Sequence, residues 1–383
     1  MRQGRIKAPG EPDCAFYHCT NRAVDRHVVL AEGERQKFLS LVREYEIFCG
    51  VRVLTFNITE DEFLLVLQVP KAPTKPLTDE ELLVRIESLT GTAGGKKTRK
   101  LLTRLRASGQ DEAAETLRNR FLARMWDVSQ FMKLLEQRFA QWFNKQHDRT
   151  GTFWASRFKS VLIEGEGEAL AAVAAYVEME AARDRLANDP AHYPWCGLGQ
   201  ALAGDKNAQE SLRIVLAASQ HLAATSLSVA EAMTKYPLLI PSIAAWGEPV
   251  ERIDAASQSL STLTAEEVLE IIGRNGQVPL QDYLKLKVRY FIDGMVLGSQ
   301  TYVNGVSEAI AVQSGTRRKR AARRMEGVES ENLYVLGNRK KNVFSCVQKT
   351  RDLRAGTGGV AVALSASEPP TRQVAAVPAS APP

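Results

Sequence analysis

Residues 51–70, "VRVLTFNITEDEFLLVLQVP", constrain the fold more than any other stretch of the chain. Two runs rich in Val, Leu and Phe flank a short acidic turn, so they read as paired strands. Pro70 closes the second run because it has no N–H to give to a ladder. Upstream, "AFYHCTNRAV" (15–24) suits a first strand. In "EGERQKFLSLVREYEIFC" (32–49) Phe38, Leu41, Val42, Tyr45 and Phe48 recur at helical spacing, and Gly50 reads as the C-cap. A further apolar strand lies in "RTGTFWASRFKSVLIEG" (149–165), and 168–187 reads as a helix. The order β-α-β-β-α-β-α predicts an α+β fold: a small antiparallel sheet flanked by helices, with those helices on one face.

At 383 residues the length suggests about two or three domains. The first is expected over 10–200, with a helical insertion over about 71–125. Inside it, Thr78 is an N-cap before "DEELL", "GTAGGKKTRK" (91–100) reads as a flexible basic loop, and helices are expected over roughly 97–123 and 127–147. A helical connector over 201–260 and a helical, basic C-terminal region over 261–345 follow. Residues 346–383, rich in Ala, Pro, Ser and Gly, read as a disordered tail. "YFIDGMVLGSQTYVNGVSEAI" (290–310) could form a helix-turn-helix, with Gly294 and Gly298 as breaks and 300–311 as the second helix.

The net charge of +6 fits a polyanionic partner without requiring one. Its distribution says more. "TRRKRAARRM" (316–325) carries six cations, Arg317, Arg318, Lys319 and Arg320 among them, and no acid. Such an arm grips a phosphate backbone through charge alone, or lies as a solvated face. The five cysteines are scattered with no CxxC pair, so neither a zinc knuckle nor a disulfide framework is indicated and a reducing cytoplasm is expected. The N-terminus has no apolar signal core, and no run of apolar residues is long enough to span a membrane.

Six stretches occur in a telling order: "YHCTNRAVDR", "CGVRVLTF", "FMKLLEQRFAQWFNKQHDRTGTFWASRFKSVLIEG", "AYVEMEAARDRL", "DPAHYPWCG" and "VRYFIDGMVLGSQTYV". Together, across roughly 10–345 with gaps, they resemble the REP-associated single-tyrosine transposases of the HUH superfamily. The most specific parts are G-x-x-W-x-x-R-F-K-S (151–160) and the Tyr-containing helix followed by Y-P-W. The resemblance implies a ferredoxin-like core and a tyrosine that attacks single-stranded DNA at imperfect hairpins to form a 5′-phosphotyrosine. It also implies a divalent metal held by a His-x-His pair. Members are usually dimeric, so a homodimer is an expectation of the same kind.

This chain departs from that pattern at the metal strand. Anchored on Phe63 and the downstream "QVP", Glu62 takes the first histidine position and Leu64 the second. Residues two apart on a strand share a face, so both should point to one metal, and Leu64 cannot ligate. The five histidines (His18, His27, His147, His192, His221) offer no HxH or HxxxH spacing. Loss of the metal would cost several kcal/mol of transition-state stabilisation, roughly thousands-fold in rate. The nucleophile position matches Tyr176, and Glu180 stands one helical turn on. Glu62 and Glu180, with Asp61, would make an all-oxygen site suited to Mg²⁺ or Mn²⁺ if the chain is active. Trp154, Arg157 and Lys159 offer an aromatic and two cations for a base and its phosphates, and Arg138 adds charge nearby. For each residue a packing or solvated role stands beside the functional one.

Three readings remain. The first is a DNA-binding protein of transposase type that holds hairpin DNA and has a degenerate active site. The second is an active nickase using Tyr176 and a carboxylate-bound metal. The third is a regulator whose target is RNA or duplex DNA.

Overall fold

The computed structural model describes residues 6, 8, 13–24, 30–241, 278–315 and 320–336. The end of the proposed connector, the tail over 346–383, and Arg317, Arg318 and Lys319 lie outside them. The fold is α+β. Strand β1 (Cys14–Arg22) runs antiparallel to β3 (Glu62–Pro70) on one side and to β4 (Lys159–Ile163) on the other. β2 (Arg52–Ile58) pairs with β3 and forms one edge of the sheet. No helix among the described residues is long and apolar enough to cross a membrane.

Helices cover both faces of this sheet rather than one. The continuous apolar run of β3 is the reason, since both sets of alternating side chains need cover. Phe63, Leu65, Leu67 and Val69 pack with Phe38 and Phe48 of α1 (Glu32–Cys49) and with Phe131 and Phe139 of α4 (Val128–Gln146). Leu64 and Val66 join the opposite core. There they meet Leu170, Val173 and Tyr176 of α5 (Glu168–Glu178), Leu198 of α7 (Gly197–Leu202) and Leu212 and Val215 of α8 (Lys206–Ser219). The step between α1 and β2 is closed by Gly50, whose φ of 63° is left-handed and disfavours a side chain.

Three expectations are corrected. The stretch 91–100 is no loop: helix α2 (Asp79–Ala107) runs through it with a kink at Gly91, φ 66°. Lys and Leu are strong helix formers, buried Leu102 anchors the far half, and the Thr78–Glu81 capping box secures the start. Helix α3 (Asp111–Leu122) returns along α2, where its buried Arg118 pairs with Asp79. Next, the helix expected over 168–187 ends early. α5 stops at Glu178, a short turn α6 (Glu180–Arg183) follows, and Arg185 at φ 60° ends the helical path.

The helix-turn-helix over 290–310 is also absent. A short helix (Arg289–Asp293) leads into strand Val296–Gly298, which pairs parallel with β4, and only then comes the helix Gln300–Ser314. The apolar "MVL" gains more by completing the sheet than by turning in solvent: Leu162 N–H donates to Met295 O at 3.0 Å and Glu164 N–H to Leu297 O at 2.9 Å. Strand Tyr334–Leu336 pairs antiparallel to Val296–Gly298, and Arg323–Arg324 forms the far edge, so C-terminal residues build part of the sheet.

Candidate functional site

The sheet face that carries Leu64 holds the candidate site. β1 contributes His18, β3 contributes Glu62, and α5 with α6 contributes Tyr176, Glu180, Arg183 and the following Asp184. The segment 283–293 lies across them. Tyr283, Leu284, Leu286, Val288 and Phe291 are all buried in the same core, which fixes the path of the segment. His18 Nδ1 lies 2.7 Å from the carbonyl oxygen of Phe291, and Arg183 Nη1 donates to Leu284 O at 2.7 Å. Lys287 therefore has its backbone held on both sides and sends its ammonium into the carboxylates.

Glu62, Glu180 and Asp184 bring carboxylate oxygens within 4.8 Å of one another. Lys287 Nζ lies 2.5 Å from Asp184 Oδ1, 3.2 Å from Glu180 Oε1 and 3.7 Å from Glu62 Oε1. Arg183 pairs with the other oxygen of Glu180. Burial would raise the Glu180 pKa, but the Arg183 and Lys287 cations outweigh it and hold the group below its usual range. Glu62 moves the opposite way. Burial and the charge of Glu180 push it well above the usual carboxyl range, against the pull of Lys287. Two cations, Arg183 and Lys287, thus face three carboxyl groups, of which Glu180 is the fully buried one.

Tyr176 is 0% exposed, and its hydroxyl has no hydrogen-bond partner among the described residues. The Arg183 guanidinium lies 3.8 Å over its ring, Phe291 packs against it at 4.7 Å, and the His18 ring meets it edge-on at 6.3 Å. Burial raises the pKa of the phenol, and burial lowers that of His18 to about 4, so both are neutral at pH 7. A nucleophilic phenol needs a path to the phosphate and a base or metal to take its proton. This one has an enclosed ring and, among the described residues, no base hydrogen-bonded to its hydroxyl.

The structure thus brings Glu62, Glu180 and Tyr176 together, with Leu64 on the same face of β3. Asp61 is not in the carboxylate group; Asp184 is. The carbonyl of Asp61 instead accepts from Ala23 N–H at 2.7 Å, and that of Glu60 accepts from Leu30 N–H at 2.6 Å. Those two acids form the turn, and only the third faces inward. Sequence reasoning missed Arg183, Asp184 and Lys287. The first two stand one turn beyond Glu180 and were findable as its helical neighbours. Lys287 is over a hundred residues away from Glu180, in "LKLKVRYF", and no local pattern marks it.

A divalent ion among these carboxylates would sit against an ammonium already within 4 Å of all three. The residues as arranged do not fit a resident divalent metal. Among the described residues, this is the acidic group that comes nearest to one.

The residues expected to contact DNA fall on α4, on the loop before β4, at the start of β4 and at Arg320. Asn21 Nδ2 donates to Glu136 Oε1 at 2.7 Å and to Ser156 O at 2.9 Å, tying α4 to the loop before β4. Arg138 and Arg157 are exposed on those two elements. Lys159 is half exposed and pairs with Asp293 at 2.8 Å. Trp154 is half-buried against Phe63, Phe139 and Phe153, and its indole N–H donates to Glu136 O at 2.9 Å. Arg320 is exposed far along the chain, and its backbone exchanges hydrogen bonds with Ser307.

No protein-family model matches the chain, and no curated protein matches it. A solved structure of a REP-associated tyrosine transposase bound to a REP hairpin is similar at 9% identity and a TM-score of 0.33. The match covers 53% of this chain and 85% of that one. It is a distant structural likeness, and nothing about this chain's activity follows from it.

Proposed function

We propose that the chain is a DNA-binding protein of the transposase type that holds structured single-stranded DNA, such as a hairpin, without cutting it. The observation that carries the reading is Lys287: an ammonium stands where strand transfer would need a metal, beside a tyrosine with no exposed surface. The order of motifs from 17 to 303 supports the DNA part. So do the exposed cations Arg138, Arg157 and Lys159 on the Glu136–Ser156 surface and Arg320 on the basic run that includes Arg317, Arg318 and Lys319. In this reading Trp154 holds the loop that presents Arg157, while the cations contact phosphates. Among the described residues Cys14, Cys19, Cys49 and Cys196 form no disulfide, which agrees with the cytoplasmic setting expected from the sequence.

A second reading keeps the chain an active nickase, and the three converging carboxylates beside Tyr176 favour it. It requires that segment 283–293 move and take Lys287 and Phe291 with it.

The test of binding is a mobility-shift titration of an imperfect DNA hairpin against a matched duplex and an RNA hairpin. The hairpin is expected to bind tightest, with affinity falling as salt rises. Replacing Arg157 and Lys159 with Ala should weaken it and reduce the salt slope by roughly one for each phosphate that is no longer neutralised. Equal or better binding of RNA or duplex would replace this reading with that of a regulator.

A further inference from the structure

Helix α2 is folded back on itself at its kink. In a straight helix Glu80 and Arg99 would stand about 28 Å apart along the axis, and Asp79 and Arg106 about 40 Å. Both pairs are instead in contact, Arg106 with Asp79 at 3.1 Å. Gly91, at φ 66° and ψ 175°, makes the reversal, and a Cβ at Gly95 would meet the Glu87 side chain. Leu82 and Ile86 seat the first half in the core that holds Phe131 and Phe139 of α4. The second half, with α3, stands on the helical layer that carries Arg138.

This second half sorts its cations. From Ser88 to Gln110 the chain has six Lys and Arg and no acid. Arg99 and Arg106 reach Glu80, Asp79 and Glu115. Lys96, Lys97, Lys100 and Arg104 are exposed, and none has an ion pair among the described residues. On a helical wheel these four fall within about 100° of arc, opposite the buried Gly95 and Leu102. Lys96, Lys100 and Arg104 follow at four-residue steps, about 6 Å apart along the axis. Like charges at that spacing repel, so the free helix is weakened by the pattern. A phosphate backbone laid along it removes the repulsion and releases its own counterions. A membrane-surface helix needs a broad exposed apolar face, and a protein partner needs apolar anchors. Here Leu102 is turned inward, and Leu101, at 44% exposure, is a single apolar residue beside the cations.

We propose that Lys96, Lys97, Lys100 and Arg104 form a second phosphate-binding surface, which holds the backbone of DNA flanking a bound hairpin. This rests on the reading of the chain as a DNA-binding protein and adds where, beyond the Arg157 surface, the DNA runs.

The experiment compares an imperfect hairpin with the same hairpin carrying single-stranded extensions on both sides, each titrated at several salt concentrations. Wild type should bind the extended DNA about tenfold tighter at low salt. The combined variant Lys96→Gln, Lys97→Gln, Lys100→Gln and Arg104→Gln should lose that gain, and its salt slope on extended DNA should fall by roughly three. Its Tm should not drop, since the four side chains hold no ion pair. A second measurement needs no variant: acetylation of wild-type lysines, read by mass spectrometry. Extended DNA should protect Lys96, Lys97 and Lys100, and leave Lys206, exposed on α8 over the opposite core, open to modification. Hairpin binding with no gain from the extensions, an unchanged slope in the variant, or no protection of the three lysines would overturn this inference alone. Wild type that binds neither DNA would overturn the underlying reading and this inference with it.

Discussion

Glu178 and Glu180 are two residues apart and both fully buried, yet the fold treats them in opposite ways. Glu178 is surrounded by neutral donors. Thr55 Oγ1 and Tyr236 hydroxyl donate to it, and the Leu198 N–H reaches its two oxygens at 3.1 and 3.0 Å. Gly197 has no side chain here because a Cβ would lie 2.8 Å from Glu178 Oε1. Burial wins over these bonds and pushes the Glu178 pKa up to about 7. Glu180 faces two cations instead, and they hold it ionised. Depth therefore does not decide the charge of a buried acid; the charge its neighbours bring decides it. A neutral shell ties β2, α5 and the start of α7 together, while an ionic shell fixes segment 283–293 over Tyr176.

The largest break in this contrast should come from Arg183→Ala. It strands Glu180 and removes the cation over the Tyr176 ring, and urea denaturation should show a loss of about 3–5 kcal/mol. A loss under about 1 kcal/mol would mean that Lys287 alone satisfies Glu180.

The next effect is a pH dependence. The folded pKa of Glu178 is raised from 4.5 to about 7, so its contribution is fully present below 4.5 and is lost as pH rises through 7. The stability advantage of wild type over Glu178→Gln should therefore shrink across that window, by on the order of 3 kcal/mol at most. Comparing the two proteins removes the contributions of Glu62 and His18, which are common to both. Glu180, held low, adds stability that is present above its unfolded pKa and fades only as pH falls through its folded value, so it should be flat in the same window.

The smallest effect is expected from Tyr176→Phe. The hydroxyl makes no hydrogen bond among the described residues, so its loss should change stability by no more than about 1 kcal/mol, in the stabilising direction. A clear destabilisation in chemical denaturation would show that the phenol has a partner in solution.

Much of the frame could be read from local chemistry. The strands around 51–70, helix α1 with its Gly50 cap, and the Thr78 capping box follow from period, propensity and cap residues. The errors also have local causes. Glycines at 91, 94 and 95 suggested a loop, but only Gly91 leaves helical geometry. The glycines at 294 and 298 suggested helix breaks, but they flank a strand whose partner, β4, lies more than a hundred residues upstream. The unbroken apolar pattern of β3 already implied cover on both faces, and assigning helices to one face ignored it. In the site, the shared direction of Glu62 and Leu64 followed from strand alternation. Lys287 did not, because an ion pair between distant segments leaves no mark on the sequence around either partner.

On the proposed reading the tyrosine pocket is filled from within and does no DNA chemistry. The direct measurement is a denaturing gel of full-length protein incubated with a labelled hairpin and Mg²⁺ or Mn²⁺. The expected result is a complex on a native gel and no covalent protein–DNA band on the denaturing one, for wild type and Tyr176→Phe alike. A covalent band with wild type that disappears in Tyr176→Phe would contradict it.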